Sequence, residues 1–306
     1  MAEIRPDAVR VILNATAGTG SRGEQARSIE EKLRQRGLDA HATVVQQGAD
    51  IGGIASKAVQ NGARMVVAGG GDGTISSVAS HLADTGVVLG VLPLGTLNHF
   101  AKDLGIPLEL DDALDVVARG RVMAVDAGEV NGRLFINNSG LGLYPDVVRD
   151  RDSQRRRLGR GKWAALAAAC LHATRRYPVL SLHVEIGGYG LERRSAFVFI
   201  GNNEYHMEGF NIGEREALTA GELSLYMTQR TGRFGLLRLA LLALIGRLRQ
   251  ARDFDMLTAD SLVVHTRKAR IRVSTDGEVT LMETPLHYRT RPGALRVMVP
   301  AQPAPE

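Results

Sequence analysis

The sequence predicts two domains, an α/β domain built on a parallel sheet followed by an antiparallel β-sandwich. Three observations predict this. Before about residue 100, short apolar runs alternate with segments of helical period, the pattern of a parallel sheet covered on both faces. Two glycine-bearing loops stand directly after two of those apolar runs. After about residue 122 the texture changes to short β-like segments separated by turns rich in Gly, Asn and Asp. The expected α/β domain covers 7–124 and the expected sandwich 125–300, with the C-terminal strand free to return to the first domain.

Residues 9–14 read as the first strand, ending at Asn14. A helix over 25–36 and a strand over 40–45 follow. The next helix, 50–61, has Asp50 as its candidate cap, and Ile51, Ile54, Ala55 and Ala58 fall on one face. Residues 65–68 form the third strand, 76–84 a helix and 87–92 the fourth strand. In the second half, strands are expected over 133–137, 180–186, 195–201, 223–228, 261–265, 269–275, 286–289 and 295–299. Two helical insertions, 162–177 and 234–253, interrupt them.

Open α/β sheets bind ligands beyond the carboxyl ends of their strands. Asn14, the loop Gly69 to Thr74 and the loop Gly95 to Asn98 all fall at such ends. Glycines there let backbone N–H groups approach an anion closely. Asp72 inside the first loop does not suit a bare phosphate, but it makes sense where a divalent cation lies between protein and phosphates. Together the loops suggest a nucleoside triphosphate site. A tight strand–helix turn without a ligand is the plain alternative.

Composition narrows the class. With 306 residues, 44% of them hydrophobic, the chain can bury one large core or two medium ones. One cysteine, Cys170, excludes an internal disulfide and fits a reducing compartment. No signal-like apolar segment opens the sequence, and no apolar run is long enough to predict a spanning helix. A net charge of +5 invites nucleic acid or an anionic membrane, yet no zinc-finger spacing or aromatic RNA-binding signature accompanies it.

Gly70-Gly71-Asp72-Gly73-Thr74, then Leu94-Gly95-Thr96-Leu97-Asn98 leading into Ala101 to Pro107, resembles the diacylglycerol kinase catalytic-domain family. That family includes bacterial lipid kinases and the sphingosine and ceramide kinases. Further matches are Asn14, Asp126-Ala127-Gly128, Phe135-Ile136-Asn137, Gly140-Leu141-Gly142 and Asp276-Gly277-Glu278, so the resemblance covers about 9–299. It implies a NAD kinase/phosphofructokinase-like nucleotide domain, a β-sandwich lipid domain and an active site in the cleft between them. It also implies ATP as cosubstrate, Mg²⁺ as cofactor and a lipid hydroxyl as acceptor, with diacylglycerol giving phosphatidic acid.

By similarity, Asn14, Thr43, Gly70, Gly71, Asp72, Gly73, Thr74, Gly95, Thr96 and Asn98 would contact ATP. Asp72 would join a metal–water network, and Asp276 would be the general base on the lipid hydroxyl. Glu278 and His99 would support them. Asn98 is expected to tie the second loop to the first through its amide, or to cap a helix from His99. For Asp276 the plain alternative is an Asp-Gly hairpin, and Thr43 reads equally as a strand residue.

The chain departs from the family pattern at several positions. Ser76 and Ser77 stand where Asn-Glu is usual, His99 where Asp is usual, and Ala15 where Pro follows the first-strand Asn. Ala220 replaces the Asp of a segment that helps hold a structural Mg²⁺ in bacterial relatives, with Glu222 two residues on. These changes keep two other readings open: a nucleotide- or lipid-binding regulator that has lost catalysis, and a soluble-substrate kinase of the NAD kinase type.

A lipid kinase must reach the bilayer. Residues 149–162 are strongly basic and lead into Trp163, and 234–246 is markedly apolar for a soluble helix. The partners expected are therefore a membrane lipid and, peripherally, an anionic membrane, with no nucleic acid; a homodimer stays open. The expected location is cytoplasmic, at the inner membrane surface.

Overall fold

The computed structural model describes residues 9–14, 22–46, 50–142, 179–195, 197–208, 211–215, 217–228 and 254–301. The chain divides into two compact units, residues 1–127 with 291–306, and residues 128–290.

The first unit alternates strand and helix: β1 (Val9–Asn14), α1 (Arg22–Gln35), β2 (Ala40–Val45), α2 (Ile51–Gln60), β3 (Met65–Gly70), α3 (Asp72–Leu82), β4 (Val88–Pro93), α4 (His99–Asp103) and α5 (Leu110–Arg119). A strand that begins in this unit, β5 (Arg121–Val130), carries the chain into the second.

In the second unit come β6 (Arg133–Phe135), β7 (Asn138–Gly142), β8 (Leu180–Ile186), β9 (Tyr189–Ser195), β10 (Phe197–Asn202), β11 (Tyr205–Glu208), β12 (Asn211–Arg215) and β13 (Leu223–Thr228). They are followed by β14 (Phe254–Ala259), β15 (Ser261–Thr266), β16 (Arg270–Thr275) and β17 (Glu278–Glu283). The long β18 (Leu286–Val299) begins in the second unit and ends in the first.

The first unit's sheet has the order β2-β1-β3-β4-β18, and every neighbouring pair is parallel. Parallel strands are buried on both faces, so they read as continuous apolar runs. Val66, Val67, Ala68, Leu89, Val91 and Leu92 accordingly have almost no exposure. The strand order reverses direction between β1 and β3, and sheets of this kind bind ligands at that switch point. Asn14 and the loop after β3 lie there.

The second unit is antiparallel. One sheet runs β14-β13-β10-β7-β16-β17. In the other, the first half of β18 pairs with β15, β15 with β8 and β8 with β9. Leu141, Val198, Leu225 and Val273 from the first meet Leu182, Val184, Leu262 and Leu286 from the second in one apolar core. Two sheets sharing one core make a β-sandwich. The α/β-plus-sandwich class read from the sequence is the class observed.

Several local expectations are corrected. α3 starts at Asp72 rather than at residue 76, because extended Gly71 takes the position before the helix and an acid in the first turn suits the helix dipole. Asp50 precedes α2 but makes no side-chain capping bond. Residues 286–289 and 295–299 are not two strands but parts of β18, which continues through Gly293 at φ +62°. Asp126 Oδ1 accepts the Gly293 N–H at 2.8 Å there.

Strands β5, β7, β9, β11, β12, β14 and β17 are not among the expected elements. β9 carries Glu192, Arg193 and Arg194, the composition of a charged edge strand rather than of a buried one. The expected insertions at 162–177 and 234–253, the basic stretch 149–162 and Cys170 lie outside the described residues.

Candidate functional site

In the first unit the site grows from the end of β3. Gly71 is extended (φ −88°, ψ −178°), and its carbonyl accepts the N–H of Thr74 at 2.9 Å and of Ile75 at 3.1 Å. The leading N–H groups of an α-helix have no acceptor within the helix. At α3 these belong to Asp72 and Gly73. Such a terminus favours negative charge.

The glycines differ in what they make room for. A Cβ on Gly70 would lie 2.5 Å from Thr74 Oγ1, and one on Gly95 would lie 2.4 Å from Gly71 Cα. Both are required by the protein's own packing. A Cβ on Gly73 would meet nothing within 4 Å. Open space beside leading helix N–H groups is what a phosphate group needs, so these residues fit a bound triphosphate.

Asn14, at the end of β1, donates from Nδ2 to Thr74 Oγ1 at 2.9 Å, bridging the switch point. The two loops meet through backbone, where the Leu94 N–H donates to the Gly70 carbonyl at 3.0 Å. Asp72 Oδ1 accepts the Phe100 N–H of α4 at 3.3 Å, so the acid also ties the loops together.

Asn98 does not tie one loop to the other. Its Oδ1 accepts the Gly95 N–H at 3.0 Å, and its Nδ2 donates to the Pro93 and Gly95 carbonyls at 3.2 and 3.1 Å. The second loop is thus closed on itself, with buried Asn98 left-handed at φ +51°. Asn98 also precedes α4 without capping it. Thr96 and His99 are exposed. Thr43 is exposed on β2 opposite Ile12, and β1 separates its strand from β3.

Among the described residues no three His, Cys, Asp or Glu side chains are grouped to hold a metal ion. Magnesium commonly takes one or two carboxylates plus phosphates and water rather than a full protein cage. Half-buried Asp72 beside the open helix terminus fits that mode. Among the described residues no acidic group of that kind forms around Glu222, whose N–H reaches Asn203 Oδ1 at 3.5 Å.

In the second unit, Asp276 and Gly277 form the two-residue turn between β16 and β17, at φ +47° and +88°. Two positive φ values are what such a hairpin turn requires. The hairpin is therefore real, and the side chain has a further use. Asp276 Oδ2 accepts the Ile136 N–H at 2.8 Å, while Oδ1 accepts those of Asn137 at 2.8 Å and Asn138 at 3.0 Å. The Asp276 N–H returns a bond to the Asn138 carbonyl at 2.9 Å. Three backbone donors fix the carboxylate's plane and position. Glu278 is exposed and pairs with Arg133.

Sequence reasoning singled out Phe135-Ile136-Asn137 as a motif but not as the cradle of Asp276. It also passed over Arg215, Asn202 and Tyr205, which hold the opposite edge of that segment. Arg215 Nη1 donates to the Ile136 carbonyl at 2.6 Å, Asn202 Nδ2 to the same oxygen at 3.0 Å, and Tyr205 Oη to the Asn137 carbonyl at 2.9 Å. No periodicity or motif marks these three residues.

Comparison with known proteins agrees across the chain. Residues 8–130 match the model of the diacylglycerol kinase catalytic domain. Residues 142–299 match that of the YegS C-terminal NAD kinase beta sandwich-like domain. "Probable lipid kinase YegS-like" proteins of Yersinia pestis (strain Pestoides F) and Yersinia pseudotuberculosis serotype O:1b are each 37% identical over 138 residues, 44% of this chain and 46% of theirs. The matched stretch thus spans about half the length of those relatives. A crystal structure of a diacylglycerol kinase from Bacillus anthracis str. Sterne shares the fold, with a TM-score of 0.71 at 20% identity, over 97% of this chain and 98% of that one.

Proposed function

The chain belongs to the diacylglycerol kinase catalytic-domain family, with a second domain of the YegS β-sandwich type, and on that premise we propose that it is an ATP-dependent lipid kinase. It transfers the γ-phosphoryl group to a lipid hydroxyl, with diacylglycerol as the leading acceptor and phosphatidic acid as the product. The observation that carries this reading is the open terminus of α3, where leading N–H groups adjoin the unfilled space at Gly73.

Phosphoryl transfer depends on positioning and charge stabilisation. The N–H groups of Asp72 and Gly73 bind phosphate oxygens, and Thr74, steadied by Asn14, fixes the start of the helix. Gly95 and Thr96 belong to the second of these loops. Bound Mg²⁺, held by Asp72 through water, would supply neutralisation of the phosphate charge. Asp276 accepts the proton of the lipid hydroxyl; its three donors fix its aim, and general-base action requires such placement. The basic run of the sequence over 149–162 supports peripheral attachment at the inner membrane surface.

The test is ATP-dependent phosphorylation of a lipid panel in mixed micelles, with Asp276→Asn alongside. Labelled product from one lipid, absent in a folded variant, supports both the reaction and the base. Binding of Mg·ATP without product from any lipid rejects the kinase reading and favours a regulator, to which Ser76, Ser77 and His99 lend support. Phosphorylation of NAD instead would favour a soluble-substrate kinase.

A further inference from the structure

We propose that Arg215 is a positioning residue for Asp276, acting through the peptide group that joins Ile136 and Asn137 and lies between them. The inference deepens the reading of Asp276 as the base and rests on it.

The path can be followed atom by atom. The peptide group joining Ile136 and Asn137 accepts Arg215 Nη1 at its oxygen, 2.6 Å away, and donates its N–H to Asp276 Oδ1 at 2.8 Å. The next peptide group accepts Tyr205 Oη at 2.9 Å and the Asn202 N–H at 2.9 Å, and donates its N–H to the same Oδ1 at 3.0 Å. Arg215 Nη2 also donates to Asn137 Oδ1 at 3.2 Å. Each peptide dipole thus has its oxygen towards donors and its N–H towards the carboxylate. Hydrogen bonds in series polarise one another, so the cation at one end strengthens the Asn137 N–H donor at the other.

The placement of Arg215 is built into the fold. It lies on β12 opposite Tyr205 of β11, and is 7% exposed. The Tyr205 ring stands 5.5 Å from its guanidinium carbon, a cation–π distance. Tyr226, its phenol pushed above the usual tyrosine range by burial, grips the Tyr205 backbone from the other side. Burying a guanidinium is costly unless it is well bonded. A buried arginine whose fork grips residues 136 and 137 steadies the segment that aims the carboxylate.

Among the described side chains, the other charged groups on β6, β16 and β17 around Asp276 are Arg133 on β6, Arg270 and Arg272 on β16, and Glu278 and Glu283 on β17. Arg133 pairs with Glu278 and Arg270 with Glu283, and all of them stay unchanged in the test.

The experiment follows the amide proton shifts of Asn137 and Asn138 against pH in the full chain, which report ionisation of Asp276. It is run for wild type and Arg215→Met, alongside the pH profile of kcat/KM for lipid phosphorylation. Loss of the cation should raise the amide titration midpoint by about one pH unit. The acid limb of the profile should move equally, giving a roughly tenfold loss below the midpoint with KM for ATP unchanged. An unmoved midpoint in folded Arg215→Met overturns the proposal, whatever happens to activity. If that variant does not fold, the wild-type guanidinium resonances decide. Titration with the Asn137 midpoint supports the coupling, and silence overturns it. A moved midpoint in a protein that phosphorylates no lipid upholds the coupling and rejects the kinase reading. Lipid phosphorylation with an unmoved midpoint does the reverse.

Discussion

Two stretches of this backbone present successive N–H groups, and they use them in opposite ways. At the start of α3 the leading groups belong to Asp72 and Gly73, and the space beside Gly73 is open. Over residues 136–138 the groups all point to a carboxylate of the chain itself, Asp276. The first stretch is the proposed receptor for an anion brought from outside. The second is a mount that holds an anion belonging to the protein. Runs of backbone donors in a sequence therefore do not say by themselves whether a ligand or a side chain will fill them.

The largest expected break of that comparison is Asp276→Asn. The amide keeps one acceptor and turns a donor towards N–H groups, so a folded variant should lose about 10²- to 10⁴-fold in kcat for lipid phosphorylation. It should also lose about 1–3 kcal/mol of stability from unmatched donors. Kinetics and urea unfolding read the two effects, and a folded, fully active variant would remove Asp276 from the mechanism.

Next come the glycines. Gly70→Ala and Gly95→Ala collide with Thr74 and Gly71, and each should cost about 1–3 kcal/mol in urea unfolding. Gly73→Ala should leave stability unchanged or raise it by up to about 1 kcal/mol. The same methyl group enters the proposed phosphate space and should weaken ATP at least about tenfold, measured by calorimetry. Unchanged ATP affinity in Gly73→Ala would mean that the open space is not the binding space.

A smaller effect is expected for Thr74→Val. It removes the acceptor of the Asn14 amide at the switch point, at a cost of about 1 kcal/mol with a parallel loss of ATP affinity. The smallest lies away from both regions. The Arg36 hydrogen bond holds the Asp115 carboxyl below the usual range. Its stabilisation is present above the unfolded-state pKa and lost as pH falls through the lower folded-state value. Asp115 is open to solvent, which screens the pair, so Asp115→Asn should only slightly flatten the acid fall of Tm.

The two regions were unequally legible in the sequence. Glycines directly after a buried strand announce a turn that must bring backbone close to something, and α3 begins there. The Asp-Gly pair announces a hairpin, and that too is present. The three N–H groups around Asp276 lie some 140 residues earlier in the chain, and no local pattern links the two. Arg215 sits among polar neighbours in the sequence, which reads as solvent-exposed; only the pairing of β11 with β12 turns it inward. Asn98 misled for a related reason: an amide between two loops can close either, and φ at +51° brings it back onto its own.

Long β18 has a consequence for synthesis. Its second half lies beside β4, at Arg296 opposite Val88 and Val297 opposite Leu89. A ribosome that has released residues 1–127 has made a sheet whose β4 side is still bare, and the covering strand arrives only after residues 128–290 have been translated. At ordinary elongation rates that interval is on the order of ten seconds. Throughout it, the nascent chain displays an unpaired apolar strand edge of the kind that invites aggregation. The earlier of the two units is thus finished after the later one, because its covering strand is translated last of the strands described.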